Sequence, residues 1–265
     1  MTTGALIFAV NNEHIDYVAM ATWSARNIQR HLNIPVAVVT TQPIASGFDQ
    51  VIVIDPVGTN ERYFSDYAAN VTWHNESRTD AYALSPWDQT LVLDADYVVS
   101  SSQLKVVLDA NQDFLAHRWA YDATGINDFT SQNYFGNYCM PMTWATVMMF
   151  RRSQQAKLIF DSMQMIKNNW THYRNLYHNT RSTYRNDHAL SIALNITNGH
   201  TLTYNNIPWN LTTITPDCSL SKIGQDRYRV DFVTANQKPR WIELHNQDFH
   251  AMGKKHLGEI VANSC

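Results

Sequence analysis

The stretch Thr90-Leu91-Val92-Leu93-Asp94-Ala95-Asp96 joins a run of β formers to two carboxylates two residues apart. Ser85-Pro86 bounds the run upstream, so Thr90 to Leu93 reads as a short buried strand. The aspartates then leave its C-terminal end, which is where open α/β sheets bind ligands. Carboxylates are costly to bury without partners. A divalent cation bridging a diphosphate would supply one, because Mg²⁺ and Mn²⁺ take oxygen ligands from carboxylates and phosphates. The competing reading of a bare D-x-D is a solvated turn.

Working outward, the first half alternates strands and helices. Ala5 to Val10 is expected as a strand and is followed by the polar break Asn11-Asn12-Glu13. From His14 to His31 the apolar residues Ile15, Val18, Ala21, Ala25 and Ile28 recur at helical spacing. Ile34-Pro35 ends that helix; Val36 to Thr40 and Val51 to Ile54 are further strands, and a helical stretch around Asp80 to Leu84 leads back to the D-A-D strand. In the second half, Val147 to Phe150 and Trp241 to Leu244 read as strands and Gln154 to Ile166 as a helix. Another helix starts at Asp187, with Asn186 or Asp187 as its cap. The expected class is α/β, a mostly parallel sheet with helices on both faces. No G-x-G-x-x-G or P-loop follows the first strand, which argues against dinucleotide oxidoreductases and NTPases.

Composition narrows the class. The chain has 265 residues, 45% of them hydrophobic, enough for a substantial core. No apolar run approaches the length of a bilayer span. Ala5 to Val10 is too short for a signal-peptide core and follows no cationic segment, and Cys139, Cys218 and Cys265 imply no disulfide framework. A reducing, cytoplasmic setting is expected. Residues 1–117 hold 5 Lys/Arg against 13 Asp/Glu, whereas residues 118–265 hold 15 against 10. Such a split marks either an electropositive face for an anionic partner or uneven surface decoration.

Several segments, taken in order, resemble the glycogenin-like and galactinol-synthase-like retaining glycosyltransferases. Ala9-Val10-Asn11-Asn12 with Tyr17 is similar to that family's first strand and nucleotide-binding turn, and Ser24 to His31 to its "S-L-x-x-H" helix. Leu91 to Val99 is similar to "V-x-Y-L-D-A-D-T-L-V", Val147 to Arg151 to "G-V-M-V-F", and Ile207 to Leu211 to "P-x-x-Y-N". His250-Ala251-Met252-Gly253-Lys254-Lys255 resembles "H-x-x-G-x-x-K-P-W". Three departures stand out. Trp144-Ala145-Thr146 replaces Asn-Ser-Gly, Asp187-His188 replaces Asp-Gln, and the terminal Lys-Pro-Trp is absent.

The resemblance implies a single GT-A domain over residues 1–265. Residues 1–100 would form the nucleotide-sugar-binding half, and residues 101–265 the acceptor half with a C-terminal metal and diphosphate element. It implies transfer from a nucleotide-diphosphate sugar, UDP-linked in expectation, with Mn²⁺ or Mg²⁺ as cofactor. Asp94, Asp96 and His250 would hold the metal, His245 competing with His250 for the third place. Val10, Asn11, Asn12, Tyr17, Arg78, Ala95, Gly253, Lys254 and Lys255 would contact the donor, one or other lysine lying against the diphosphate. Asp187 and His188 would serve the sugar and acceptor; Asp187 could instead only cap its helix.

The acceptor side has its own signature. From Ser162 to Asn186 there is no acidic residue, while Lys167, Arg174, Arg181 and Arg185 interleave with Trp170, Tyr173, Tyr177 and Tyr184. Cations contact phosphates and aromatics stack on bases, so a nucleic-acid acceptor is reasonable, such as a hydroxymethylated DNA base of the phage type. Aromatics stack equally well on pyranose faces, which leaves a glycan or protein acceptor open. The altered positions Trp144 and His188 also leave open a GT-A-like binding protein without turnover.

Overall fold

The structure, a computed structural model, describes all residues except 44–45, 56–59, 138–139, 178, 180–181, 202–205 and 265. Arg181, Cys139 and Cys265 therefore lie outside the described residues. The chain runs β1 (Thr3–Phe8), α1 (Tyr17–Leu32), β2 (Val36–Thr40), β3 (Gln50–Val53), β4 (Asn60–Phe64) and β5 (Ala69–Trp73). A 3-10 turn (Asn75–Asp80) leads through α2 (Ala81–Leu84) into β6 (Gln89–Asp94), and β7 (Tyr97–Val98), α3 (Lys105–Asp109), β8 (Phe114–His117) and β9 (Ala120–Asp122) follow. Next come β10 (Tyr134–Phe135), β11 (Met140–Pro141), β12 (Trp144–Arg151), α4 (Gln154–Asn168), α5 (Trp170–Leu176) and α6 (Asn186–Thr197). Last are β13 (Leu211–Ile214), β14 (Ser219–Gly224), β15 (Arg227–Val233), β16 (Pro239–His245), β17 (Phe249–Ala251) and α7 (Lys254–Ala262).

The central sheet has the order β3-β2-β1-β6-β12-β8. The first four strands are mutually parallel, and β12 runs antiparallel to both its neighbours. Strands buried on both faces need continuous apolar sequence, and Val36–Thr40 has it, every residue buried. Alternate side chains feed two cores. Ala5, Ile7, Leu91 and Leu93 face α1 and α7; Leu6, Phe8, Val92 and Met148 face α2, α4 and α6. Helices thus cover both faces, and the α/β class expected from the sequence is the one observed. Among the described residues no helix is long and apolar enough to cross a membrane.

Local signals set the helix ends. Asp16 accepts from the Ala19 N–H at 2.9 Å to start α1, and Asn33 in the left-handed region (φ 57°) ends it. The helix expected from His14 therefore begins at Tyr17, because Asn12 and Asp16 use the intervening residues as a turn. One expectation is corrected at α6. Arg185 is its cap residue and makes no side-chain cap bond, while Asp187 lies inside the first turn. The Asp187 carboxylate instead accepts from the Ala145 N–H of β12 at 2.9 Å.

The chain passes from β1 outward to β2 and β3, then returns to β6 on the other side of β1. A crevice opens where the connections diverge, at the C-terminal ends of β1 and β6. Register places Phe8 beside Asp94 there, and the antiparallel β12 brings Thr146 and Trp144 to the same end. Packing at the opposite end is tight. A Cβ on Gly4 would lie 2.3 Å from the Trp87 ring. Gly4→Ala should therefore lower unfolding free energy by about 1–3 kcal/mol, read from urea melts. An unchanged midpoint would mean that Trp87 moves aside without cost.

Candidate active site

The two aspartates at the end of β6 are surrounded by cations from remote segments. Arg78, in the 3-10 turn, is only 2% exposed; it donates to Asp94 Oδ1 and, at 2.8 Å, to the Ala145 carbonyl. Lys254 Nζ donates to Asp96 Oδ2 and to the Ala251 carbonyl at 3.1 Å. His250 arrives by backbone pairing, since β17 lies antiparallel to β7 with His250 opposite Tyr97, and the Ala251 N–H donates to the Asp96 carbonyl at 3.0 Å. That pairing sets His250 Nε2 3.3 Å from Asp96 Oδ2. His245 sits exposed at the end of β16, opposite Arg227.

These groups line a cavity of about 260 Å³, together with Val10, Tyr17, Arg62, Trp73, Trp144, Arg185 and Asp187. Ligand atoms of Asp94, Asp96 and His250 all lie within 4.8 Å of one another, close enough to share an ion. Two observations test the fit. His250 Nδ1 is buried without a hydrogen-bond partner. The donor set of two carboxylates and an imidazole suits Mn²⁺, the imidazole less so Mg²⁺. The residues fit such an ion.

Electrostatics follow from burial. Burial raises the Asp96 carboxyl, but Lys254 and His250 outweigh it and leave it well below the usual carboxylate range. Burial, then Asp96 and Asp94, push the Tyr17 hydroxyl well above its ordinary value. Burial also raises Asp187, but Arg185 and the Ala145 N–H more than cancel it, so Asp187 is held below the usual carboxylate range and stays ionised. Four cations (Arg62, Arg78, Arg185, Lys254) face four carboxylates (Asp66, Asp94, Asp96, Asp187) in the wall. A divalent ion added to that balance leaves a positive site, suited to an anion.

Not every residue singled out in the sequence reaches the cavity. Val10, Tyr17, Arg78, Asp94, Ala95, Asp96, Asp187, His250 and Lys254 line it. Asn11 and Asn12 do not. Asn11 accepts from the Val18 N–H and donates to Asp16, Asn12 accepts from the His14 and Ile15 N–H groups, and both build the turn before α1. Gly253 is the residue before α7; a Cβ there would lie 3.3 Å from Pro216 Cα. The Lys255 side chain is exposed and away from the wall, so of the two lysines the structure brings Lys254.

His188 is turned away as well. Its ring lies between Phe135 (centroids 4.8 Å apart) and Trp170 (6.0 Å), and Nδ1 is near Asn179 Nδ2 at 3.2 Å and Ser182 Oγ at 3.1 Å. Of the acid-free segment, Lys167 lies 3.9 Å from Asp80 and donates to the Glu76 carbonyl, while Arg185 reaches the cavity. Sequence reasoning missed the β4–β5 hairpin altogether. It overhangs the cavity with Arg62 and Trp73, and its tip residue Asp66 accepts from the Lys254 N–H at 2.6 Å and the Lys255 N–H at 3.1 Å, capping α7.

No known family model matches the sequence, and no curated protein matches it. Among solved structures, the chain is similar to the glycosyltransferase GlyE of Streptococcus pneumoniae TIGR4, at 12% identity and TM-score 0.44 over 78% of this chain and 46% of GlyE. It is similar to galactosyltransferase LgtC, solved with donor and acceptor sugar analogues, at 14% identity and TM-score 0.48 over 72% of this chain and 70% of LgtC. The bifunctional glycosyltransferase WbbM aligns at 14% identity and TM-score 0.37 over 79% of this chain and 47% of WbbM. The chain thus spans about half the length of GlyE and WbbM.

Burial, with Arg185 next, depresses the His188 imidazole to about 3. The unfolded chain therefore binds a proton below about pH 6.5 that the folded protein refuses, and stability falls with falling pH across that window. His188→Phe should remove up to ~1.4 kcal/mol per pH unit of this slope between about pH 6.5 and 4. Urea melts of both proteins at pH 7, 6 and 5 read it; identical slopes would show that His188 titrates normally.

Proposed function

We propose that the protein is a metal-dependent glycosyltransferase, moving a sugar from a nucleoside-diphosphate sugar, UDP-linked by resemblance, to a hydroxyl acceptor with retention of configuration. One observation carries this reading: Asp94, Asp96 and His250 converge with Lys254 and Arg78 in a cleft at the switch point of a mostly parallel sheet. We read residues 1–100 and 101–265 as donor and acceptor halves of one domain, both contributing to that cleft.

Breaking the bond between the anomeric carbon and a diphosphate leaves negative charge on the departing oxygen. Mn²⁺ or Mg²⁺ held by Asp94, Asp96 and His250 would supply Lewis-acid stabilisation of that charge. Lys254 and Arg78, now turned on the two aspartates, are the preorganised cations beside it. Tyr17 and Val10 flank the place for base and ribose. Asp187, ionised and fixed by Ala145 and Arg185, orients sugar or acceptor hydroxyls and stabilises positive character at the anomeric carbon. In the front-face route implied by the resemblance, the departing phosphate oxygen takes the acceptor proton.

The acceptor proposed from the sequence is a modified DNA base, with glycan or protein as the alternative. Arg185 supports an anionic acceptor, whereas Lys167 is already engaged with Asp80 and Glu76. Trp144 favours a second reading, a nucleotide-binding protein without turnover, because a bulky indole lines the wall where the resemblance has small residues.

Incubation with Mn²⁺ and a panel of nucleotide sugars should reveal slow donor hydrolysis without acceptor. Asp96→Asn should lower it by about a hundredfold or more. Binding without hydrolysis of any donor would favour the silent reading. Absence of donor binding, with metal affinity unchanged in Asp96→Asn, would overturn the proposal.

A further inference from the structure

Three of the four cations in the cavity wall already contact a carboxylate: Arg78 on Asp94, Lys254 on Asp96 and Arg185 on Asp187. Arg62 does not. Its guanidinium carbon lies 3.8 Å over the centroid of the Trp73 ring, and among the described residues it makes no hydrogen bond or ion pair. Arg185 is only partly satisfied: one Nη donates to Asp187 at 2.9 Å, while its Nε is buried without an acceptor.

The supports of the two arginines touch. Trp73 packs on Tyr184, the residue before Arg185, with ring centroids 6.4 Å apart, and Tyr184 packs in turn on Trp170 at 5.7 Å. The Tyr184 hydroxyl is held by Asn186 at 3.0 Å. The Arg62 guanidinium is therefore carried on a packed aromatic wall, and the residue before Arg185 belongs to the same wall, while Asp187 holds the Arg185 fork. Burial, then the like charge of Arg185, lowers the Arg62 guanidinium to about 10, against the nearby Asp187 and Asp94 carboxylates, which favour its charge. Partly desolvated N–H donors without a protein acceptor gain from an oxyanion that supplies one. Planar forks of N–H groups match the two oxygens of a phosphate or carboxylate. In the proposed reading the diphosphate is met elsewhere, by Arg78, Lys254 and the metal that Asp94, Asp96 and His250 would hold.

We propose that Arg62 and Arg185 form a second anion subsite of this cleft, receiving an oxyanion carried by the transferred sugar or by the acceptor. The proposal rests on the reading of the cleft as a nucleotide-sugar site. It gives the hairpin Asn60–Trp73 a role in selecting an acidic substrate, beyond covering the cavity.

The test uses the full chain with saturating Mn²⁺ and UDP, titrated with sulfate at constant ionic strength and followed by tryptophan fluorescence. Wild type should show a saturable change. Arg62→Met, which keeps an apolar stem over Trp73, should weaken sulfate binding by about tenfold, the loss of a hydrogen bond to a charged group. Arg62→Lys should recover part of it, and UDP affinity should stay within about twofold in both, since the diphosphate contacts are intact. An equal loss of UDP and sulfate binding would overturn the proposal by placing Arg62 on the diphosphate. So would a wild type whose fluorescence responds to sulfate no more than to chloride.

If wild type binds no UDP, the glycosyltransferase reading fails separately. The subsite is then tested by titrating sulfate into Lys254→Met with and without Arg62→Met, where only a loss caused by Arg62→Met supports it. Two further arms locate the anion. A selective loss of UDP-glucuronate over UDP-glucose hydrolysis in Arg62→Met assigns it to the sugar. A selective loss of salt-sensitive oligonucleotide binding assigns it to an acceptor phosphate. A change in neither, with sulfate binding lost, would mean an adventitious ion only and would overturn the proposal.

Discussion

Asp94 and Asp96 are withdrawn from water at the end of β6, and that placement creates a demand for charge that local sequence does not meet. Burying an ion costs several kcal/mol, and removing one partner of a buried pair typically costs about 3–5 kcal/mol. The compensating groups come from far along the chain: Arg78 from the turn before α2, His250 from β17, Lys254 from α7. Each is held by a structure of its own. Arg78 is anchored on the Ala145 carbonyl, His250 by the β7–β17 pairing, and Lys254 by a helix capped by Asp66. Exposed pairs such as Lys157–Asp161 are screened by solvent and organise nothing comparable. The C-terminal third of the chain shares an apolar core with the first sheet through residues such as Phe249, Leu257 and Ile260, and His250 and Lys254 add the charge that Asp96 requires.

The same arrangement makes the cleft chemically useful. Cations that now neutralise the aspartates would stand within reach of the anion proposed to arrive with a divalent metal, and would need no gathering during the proposed reaction. Asp187 is held by the Ala145 N–H as well as by Arg185, beside the Ala145 carbonyl that anchors Arg78, and it stays ionised there. The hairpin closes the remaining side. Its tip caps α7 while Arg62 points into the cavity, so its position is coupled to the lysine that faces the proposed diphosphate.

What the sequence made legible was local and periodic. The D-A-D strand, β2 and the helices α1 and α4 announce themselves through continuous, mostly apolar runs or a repeat near 3.6 residues, because their apolar faces meet the two cores that flank the sheet. The hairpin does not. Asn-Glu-Arg-Tyr-Phe-Ser-Asp-Tyr-Ala-Ala-Asn-Val-Thr-Trp alternates weakly, since its inward side faces a polar cavity rather than a core. Adjacent residues were hardest to separate. Successive helix positions point about 100° apart, so Asp187 enters the cleft while His188 joins an aromatic stack, and Lys254 enters while Lys255 meets solvent. Asn11 and Asn12 look like ligand contacts in sequence, yet their side chains are consumed in shaping a turn.

The most direct measurement is anomalous scattering from a crystal grown with Mn²⁺ and UDP. One manganese peak is expected between the Asp94 and Asp96 carboxylates and the His250 ring, within coordination distance of all three. The diphosphate should bridge that ion to Lys254, with Arg78 drawn toward a phosphate oxygen. Manganese bound elsewhere, or a nucleotide seated away from Lys254, would contradict the account.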